Sequence, residues 1–265
     1  MVAERPIGRT ALGAAAAEWS SSKRIDVDGI RVRYRSAGSG LPVVLVHGLG
    51  VSADYWVRNA PILAASGYRV LAPDLPGFGR TRGPGGGLDV PAQAKAIRRW
   101  AEAMGVEQAV YVGHSLSCQS VLELAATGPA SVRGLVLAAP TGQGTSVRRL
   151  FNQGLGFLRD IRHESTKLAA IIALAYLRAG PRRVLKTWRM GARHDPIALL
   201  PRVDCRALVL LGELDPVVPF DFARTIATGL PGSRVVVVPR GSHGVIFDPT
   251  GCFNGAILDF LRELE

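Results

Sequence analysis

One rhythm in the sequence constrains the fold more than any other feature. Short runs rich in Val and Leu, apolar at nearly every position, alternate with longer stretches of helical periodicity. The strand-like runs are 42–46, 68–72, 109–112, 132–138, 207–211 and 234–238. A strand apolar on both faces must be covered on both, which is the state of a parallel sheet flanked by helices. Helical patterns fall between the runs, at 53–65, 89–104, 115–127, 220–228 and 250–264. Asp89 is placed to cap its helix, with Pro91 in the first turn and Gly105 just past the end. Residues 24–28 and 30–35 alternate apolar and polar around Asp28-Gly29, a half-exposed antiparallel hairpin for the leading edge of the sheet. The expected fold class is α/β: a mostly parallel twisted sheet with helices on both faces.

Between 141 and 202 the rhythm stops. No strand-like run occurs there, and helical patterns appear near 147–159, 166–178 and 182–190. Ser165 suits an N-cap, and Gly180-Pro181 suits a stop followed by a new start. The stretch is too long for a connecting loop, so it is read as a helical lid over the strand ends. The expected organisation is a flexible leader over 1–24, a core over 25–140, the lid over 141–202 and the rest of the core over 203–265.

Composition narrows the class. The chain has 265 residues, of which 48% are hydrophobic and 20% charged, enough for a substantial core. The longest apolar run, 168–177, is about half the roughly 20 residues of a spanning helix, so no membrane span is expected. Arg5, Arg9 and the segment 11–14 imitate a secretion signal only weakly. Three cysteines, Cys118, Cys205 and Cys252, show neither a CxxC pair nor a Cys/His cluster. Free thiols, a cytoplasmic location and no metal or cofactor are the expectation. The net charge is +11. The cations are scattered singly and in pairs, without an RNA-binding signature, so no nucleic-acid partner is expected.

In a sheet of this kind, function collects at the carboxyl ends of the strands. The segment Gly113-His114-Ser115-Leu116-Ser117 lies between a strand and a helix. It approximates the G-x-S-x-G turn that presents a serine hydroxyl at a helix head, with Ser117 in place of the second glycine. A serine is a weak nucleophile unless a base takes its proton and a carboxylate orients that base. Asp215 follows the 207–211 strand, and His243 follows the next one. The order Ser, Asp, His along the chain is the order of this turn's fold. Glu213 is the rival acid; Asp215 is preferred because Pro216 and Pro219 fix the turn that follows it. His47 and His114 fall at the site's edge with structural roles, and His163 and His194 fall in the lid without a motif. An oxyanion needs backbone donors. Leu116 supplies one N–H, and Leu49, in His47-Gly48-Leu49-Gly50, supplies the other.

These stretches, with Trp56 and Asp74–Thr81, resemble the α/β-hydrolase superfamily over nearly the whole chain. The resemblance is to lidded enzymes: carboxylesterases, hydrolases of aromatic ring-cleavage products, and cofactor-free haloperoxidase-like perhydrolases. It implies hydrolysis of a carboxylic ester or similar acyl substrate through an acyl-serine. C–C bond hydrolysis of diketone acids uses the same residues. A non-hydrolytic ligand-binding role is the alternative of a different class. The substrate is expected to be a small molecule with a hydrophobic acyl or aryl group. Its pocket is expected to use Gly48, Gly50, Leu155, Phe157 and Trp188. Twelve Lys or Arg against three acids between 141 and 202 raise the alternatives of an anionic substrate and of a solvated lid exterior, the second being favoured.

Overall fold

The computed structural model describes residues 8–142, 155–156, 166–248 and 250–265. Their strands form an eight-stranded sheet in the order β1-β2-β4-β3-β5-β6-β7-β8. The strands are β1 (Lys23–Val27), β2 (Ile30–Ala37), β3 (Pro42–Val46), β4 (Arg69–Pro73), β5 (Ala109–His114), β6 (Val132–Ala138), β7 (Ala207–Gly212) and β8 (Arg234–Val238). β2 pairs antiparallel with β1 and with β4, and every other pairing is parallel. The hairpin turn at Asp28-Gly29 has positive φ at both residues, 48° and 79°, as a two-residue turn needs to match the strand twist. β5 and β7 are buried at every position, which is why their sequences carry no alternation.

The helices are α1 (Arg9–Ser20), α2 (Ala60–Ala65), α3 (Val90–Ala103), α4 (Ser117–Thr127), α5 (Thr166–Ala179), α6 (Pro181–Ala192), α7 (Phe220–Thr228) and α8 (Cys252–Arg262). Asp89 caps α3 as expected, accepting the Ala92 N–H at 2.9 Å. The expected helix at 53–65 is instead a 3-10 turn, Ala53–Trp56, followed by the short α2. α5 and α6 form a helical insertion between β6 and β7. Of the pattern at 147–159, residues 155–156 are described and helical, and the remainder lies outside the described residues, as does Ser165.

The leader differs from expectation. Residues 9–20 form α1 rather than a flexible tail, with Ala15 and Trp19 buried against the core. Its carboxyl end is held by Arg35 of β2, whose Nη1 donates to the carbonyls of Trp19 and Ser20 at 2.5 Å each. An Ala-rich helix with a weak apolar stripe shows little of this in its own periodicity. What fixes it is one buried indole and one long-range cation.

Arg33 on β2 is fully buried. Its guanidinium donates to Asp74, after β4, at 3.1 Å and to Asp54 at 2.5 Å. Asp74 also accepts the N–H groups of Ala53 and Arg80, both at 2.8 Å. This buried ion network ties the 3-10 turn and the Asp74–Thr81 loop to the sheet beside the β3 end.

The chain runs from β3 out to β4 and returns past β3 to β5. The strand order therefore reverses between β3 and β5, and a crevice opens at their carboxyl ends.

Candidate active site

Ser115 follows β5 with φ 56°, a left-handed conformation rare for a residue with a side chain. The turn is held from three sides. The Ser115 N–H donates to Ala138 O at 2.9 Å, and its carbonyl accepts the Cys118 N–H at 3.1 Å. A Cβ at Gly113 would stand 2.9 Å from Cys118 N and Ser117 O, so the helix start leaves room for glycine alone. Ser117, in the second-glycine position, is buried and hydrogen-bonded. Its Oγ accepts the His114 N–H at 2.9 Å and donates to Val46 O at 2.8 Å. The departure from glycine thus stitches the end of β3 to the end of β5, the two strands that flank the crevice.

His243 must reach Ser115 from β8, three strand positions from β5, roughly 14 Å at the usual spacing. The loop after β8 does so by crossing over the end of β7. A Cβ at Gly212 would lie 2.3 Å from Ser242 O, so a side chain there would block the crossing. His243 Nε2 lies 3.0 Å from Ser115 Oγ, and Nδ1 lies 3.0 Å from Asp215 Oδ2. Asp215 Oδ1 accepts the N–H groups of Val217 and Val218 at 2.7 and 3.0 Å, which locks the carboxylate toward the imidazole. Burial pushes the Asp215 carboxyl upward in pKa. The His243 charge and the three hydrogen bonds outweigh burial, so the group sits below the ordinary carboxylate value. Glu213 takes no part: its Oε2 accepts the Arg240 N–H at 2.8 Å on the exposed side of the turn.

The two neighbouring histidines have buried, defined partners. His114 Nε2–H donates to the His243 carbonyl at 2.9 Å, and its Nδ1 accepts the Tyr55 hydroxyl. Burial, then the nearby His243, drives the His114 pKa down to about 3 and keeps the ring neutral. His47 Nδ1–H donates to Gly48 O at 2.8 Å, and its Nε2 accepts the Leu75 N–H at 3.0 Å. Burial lowers its pKa as well. Both rings act as neutral struts, one under the His243 backbone and one under the Gly48–Gly50 loop.

A cavity of about 790 Å³ opens on Ser115 and His243. Gly48, Leu49 and Leu116 line it. A Cβ at Gly48 would stand 3.6 Å from Ser115 Cβ. Trp188 lines the cavity, together with Leu168, Ile172, Val184 and Leu185. Gly50 is one step back from the wall: a Cβ there would meet the Tyr176 ring at 2.5 Å, so the glycine lets the insertion close onto the loop. Leu155 is a correction. It is half-buried and not on the cavity wall, and its neighbour Gly156 packs against the Pro216 backbone beside Asp215. Phe157 and His163 lie outside the described residues.

Several wall residues escape the sequence reading. Gln119, one turn beyond Ser115 on α4, lines the cavity with Thr141. His194, just after α6, contacts Gln119 Oε1 through Nδ1 at 3.0 Å and Glu123 Oε2 through Nε2 at 3.1 Å. The insertion is thereby tied to the helix that starts at the serine. These residues carry no motif; the 3.6-residue spacing of Gln119 and Glu123 after Ser115 was the available signal. Among the described residues the cavity wall contains no Lys, Arg, Asp or Glu. Among the described residues no group of three His, Cys, Asp or Glu side chains could hold a metal ion, and no helix is long and apolar enough to cross a membrane.

Comparison with known proteins agrees with the fold. A family model described as "Alpha/beta hydrolase family" matches residues 43–254. The dihydrolipoyllysine-residue acetyltransferase component of an acetoin cleaving system from Cupriavidus necator is 35% identical over 257 residues, covering 88% of this chain and 67% of that protein. A 2-hydroxy-6-oxo-6-phenylhexa-2,4-dienoate hydrolase from Burkholderia cepacia is 26% identical, covering 89% of this chain and 93% of that protein. Among solved structures, a membrane phospholipase A described as a bacterial virulence factor superposes with a TM-score of 0.80 at 23% identity, covering 96% of this chain and 91% of that one. At that identity the likeness speaks for the fold alone.

Proposed function

The chain belongs to the alpha/beta hydrolase family, and we propose from that premise that it hydrolyses a neutral, largely apolar carboxylic ester through an acyl-serine intermediate. The observation that carries the reading is the unbroken chain Ser115 Oγ, His243 Nε2, His243 Nδ1, Asp215 Oδ2, with 3.0 Å at each contact.

In this mechanism Ser115 Oγ attacks the ester carbonyl and its proton passes to His243 Nε2. Asp215, held ionised, keeps Nδ1–H in place and offsets the charge of the imidazolium. The carbonyl oxygen becomes an oxyanion and takes the N–H groups of Leu49 and Leu116. Each such donor is worth about 3–4 kcal/mol of barrier. His243 then returns its proton to the departing alcohol. Water, deprotonated by the same nitrogen, releases the acid and restores Ser115.

The insertion acts as a lid that supplies the apolar wall. A neutral substrate is favoured over a carboxylate such as the dienoate named for the ring-cleavage relative, because the described wall carries no cation to pair with a carboxylate. By the same reasoning the described cations of the lid, Arg178, Arg182, Arg183, Lys186, Arg189 and Arg193, are not substrate ligands.

Two measurements test the reading. Ser115→Ala should lose roughly a thousandfold or more in kcat; near-normal turnover rejects the acyl-serine. For matched esters differing by one terminal carboxylate, kcat/KM should favour the neutral member by roughly tenfold or more. Equal rates reject the substrate assignment and leave the nucleophile standing.

A further inference from the structure

The cavity wall and the outer face of the insertion differ sharply in charge. Between Thr166 and His194 the sequence carries seven Lys or Arg and no Asp or Glu. None of the six whose side chains are described lines the cavity. Arg178, Arg182, Lys186 and Arg189 are exposed, and among the described residues they have no ion-pair partner. Interleaved with them on α5 and α6 are exposed apolar side chains. Leu177 is 79% exposed, Leu174 49% and Leu185 46%.

A single exposed leucine means little. Several on two adjoining helices, rimmed by cations, mark an interaction surface. Tyr176, Leu177 and Leu185 also line the cavity, so the exposed patch and the cavity mouth are one continuous apolar surface. That continuity selects the partner. A protein seated on the patch would stopper the mouth. A lipid surface would instead let an apolar ester enter the cavity without crossing water. Exposed leucines with Lys and Arg beside them, and no acids, fit the boundary between acyl chains and anionic headgroups.

We propose that the face of α5 and α6 carrying the cavity mouth docks on an anionic lipid surface, from which the cavity draws its substrate. The docking stands independently of the hydrolase reading; the drawing of an ester rests on it.

The test is co-sedimentation of the full chain with sucrose-loaded vesicles. One set is phosphatidylcholine alone, and the other contains a minority of phosphatidylglycerol. Partitioning onto the anionic set should be stronger by roughly tenfold or more and should weaken with salt. Each cation near such a surface contributes roughly fivefold, so the triple variant Arg178→Glu, Arg182→Glu, Arg189→Glu should lose roughly a hundredfold or more. Leu174→Asp should weaken binding through the apolar arm. Both variants should hydrolyse a soluble short-chain nitrophenyl ester like the parent, which reports that they are folded. Ser115→Ala should still sediment while losing turnover, so a failed hydrolase reading and a failed docking surface give different results. Equal binding to the two vesicle sets, binding to neither, or undiminished binding of the triple variant overturns the proposal.

Discussion

Asp215 and Glu213 stand two residues apart after β7, and their surroundings separate them completely. Both oxygens of Asp215 are engaged inside the protein, one by the Val217 and Val218 N–H groups and one by His243. Glu213 faces solvent and braces the Arg240 backbone. Asp215→Asn keeps the shape but offers the imidazole an amide instead of a carboxylate, which disfavours the needed tautomer and leaves the imidazolium unsupported. A loss of about 10⁴ in kcat is expected, against less than about threefold for Glu213→Gln. Steady-state kinetics of the two variants on one ester checks this, and comparable losses would reassign the acid. At this scale much was legible. The order of Ser115, Asp215 and His243 and their places after strands could be read directly, because a strand end fixes a side chain's location to within a residue or two. The weak point is Ser117, which stands where the turn's pattern has its second glycine. Its reason is a hydrogen bond to Val46 O, 71 positions earlier in the chain, and no local pattern records such a partner.

The elements around the site are fixed by polar ties between segments distant in sequence. Arg33 is the clearest case. Its guanidinium neutralises the buried Asp74 and the partly buried Asp54, and Arg35 shares Asp54 at 2.6 Å. Arg33→Met fills similar volume but strands the Asp74 carboxylate. A loss of about 3–5 kcal/mol is expected, the range for breaking one side of a buried pair. Urea denaturation of parent and variant measures it, and a change below about 1 kcal/mol would mean that solvent reaches the network. Neither this network nor α1 was readable in advance. Strand and helix positions follow from periodicity, which is local. Arg33 meets Asp74 across 41 residues, and Trp19 finds its place only once β2 and α2 exist. The insertion shows the same limit. Its helices were legible from their period, but the contact of His194 with Gln119 across 75 residues was not.

Across the whole molecule, the buried neutral histidines couple stability to pH. His114 falls from an ordinary 6.5 to about 3, and burial lowers His47 as well. The unfolded chain therefore binds protons on these rings below about pH 6.5, where the native protein does not. Their contribution to stability is complete above that pH and is lost progressively as pH falls below it, for His114 down to about 3. Protonation on unfolding lowers stability by up to about 1.4 kcal/mol per pH unit for each ring. The carboxylates act in the same direction at lower pH. Burial would raise the Asp54 pKa, but the Arg33 and Arg35 guanidiniums outweigh it and hold the group below 3.8, so its stabilisation is present above that value and disappears as acid protonates it. Two regimes are expected on acidification, a histidine slope beginning near neutrality and a carboxylate slope below it. His114→Gln can retain a donor to the His243 carbonyl without the titrating ring. Between pH 6 and 5 its unfolding free energy should fall less steeply than the parent's, by up to about 1.4 kcal/mol over the unit. Urea midpoints taken at half-unit intervals resolve the difference. Identical slopes in parent and variant would mean that His114 is protonated in the native protein. The strut beneath His243 would then carry a positive charge beside the reacting imidazole rather than a neutral ring.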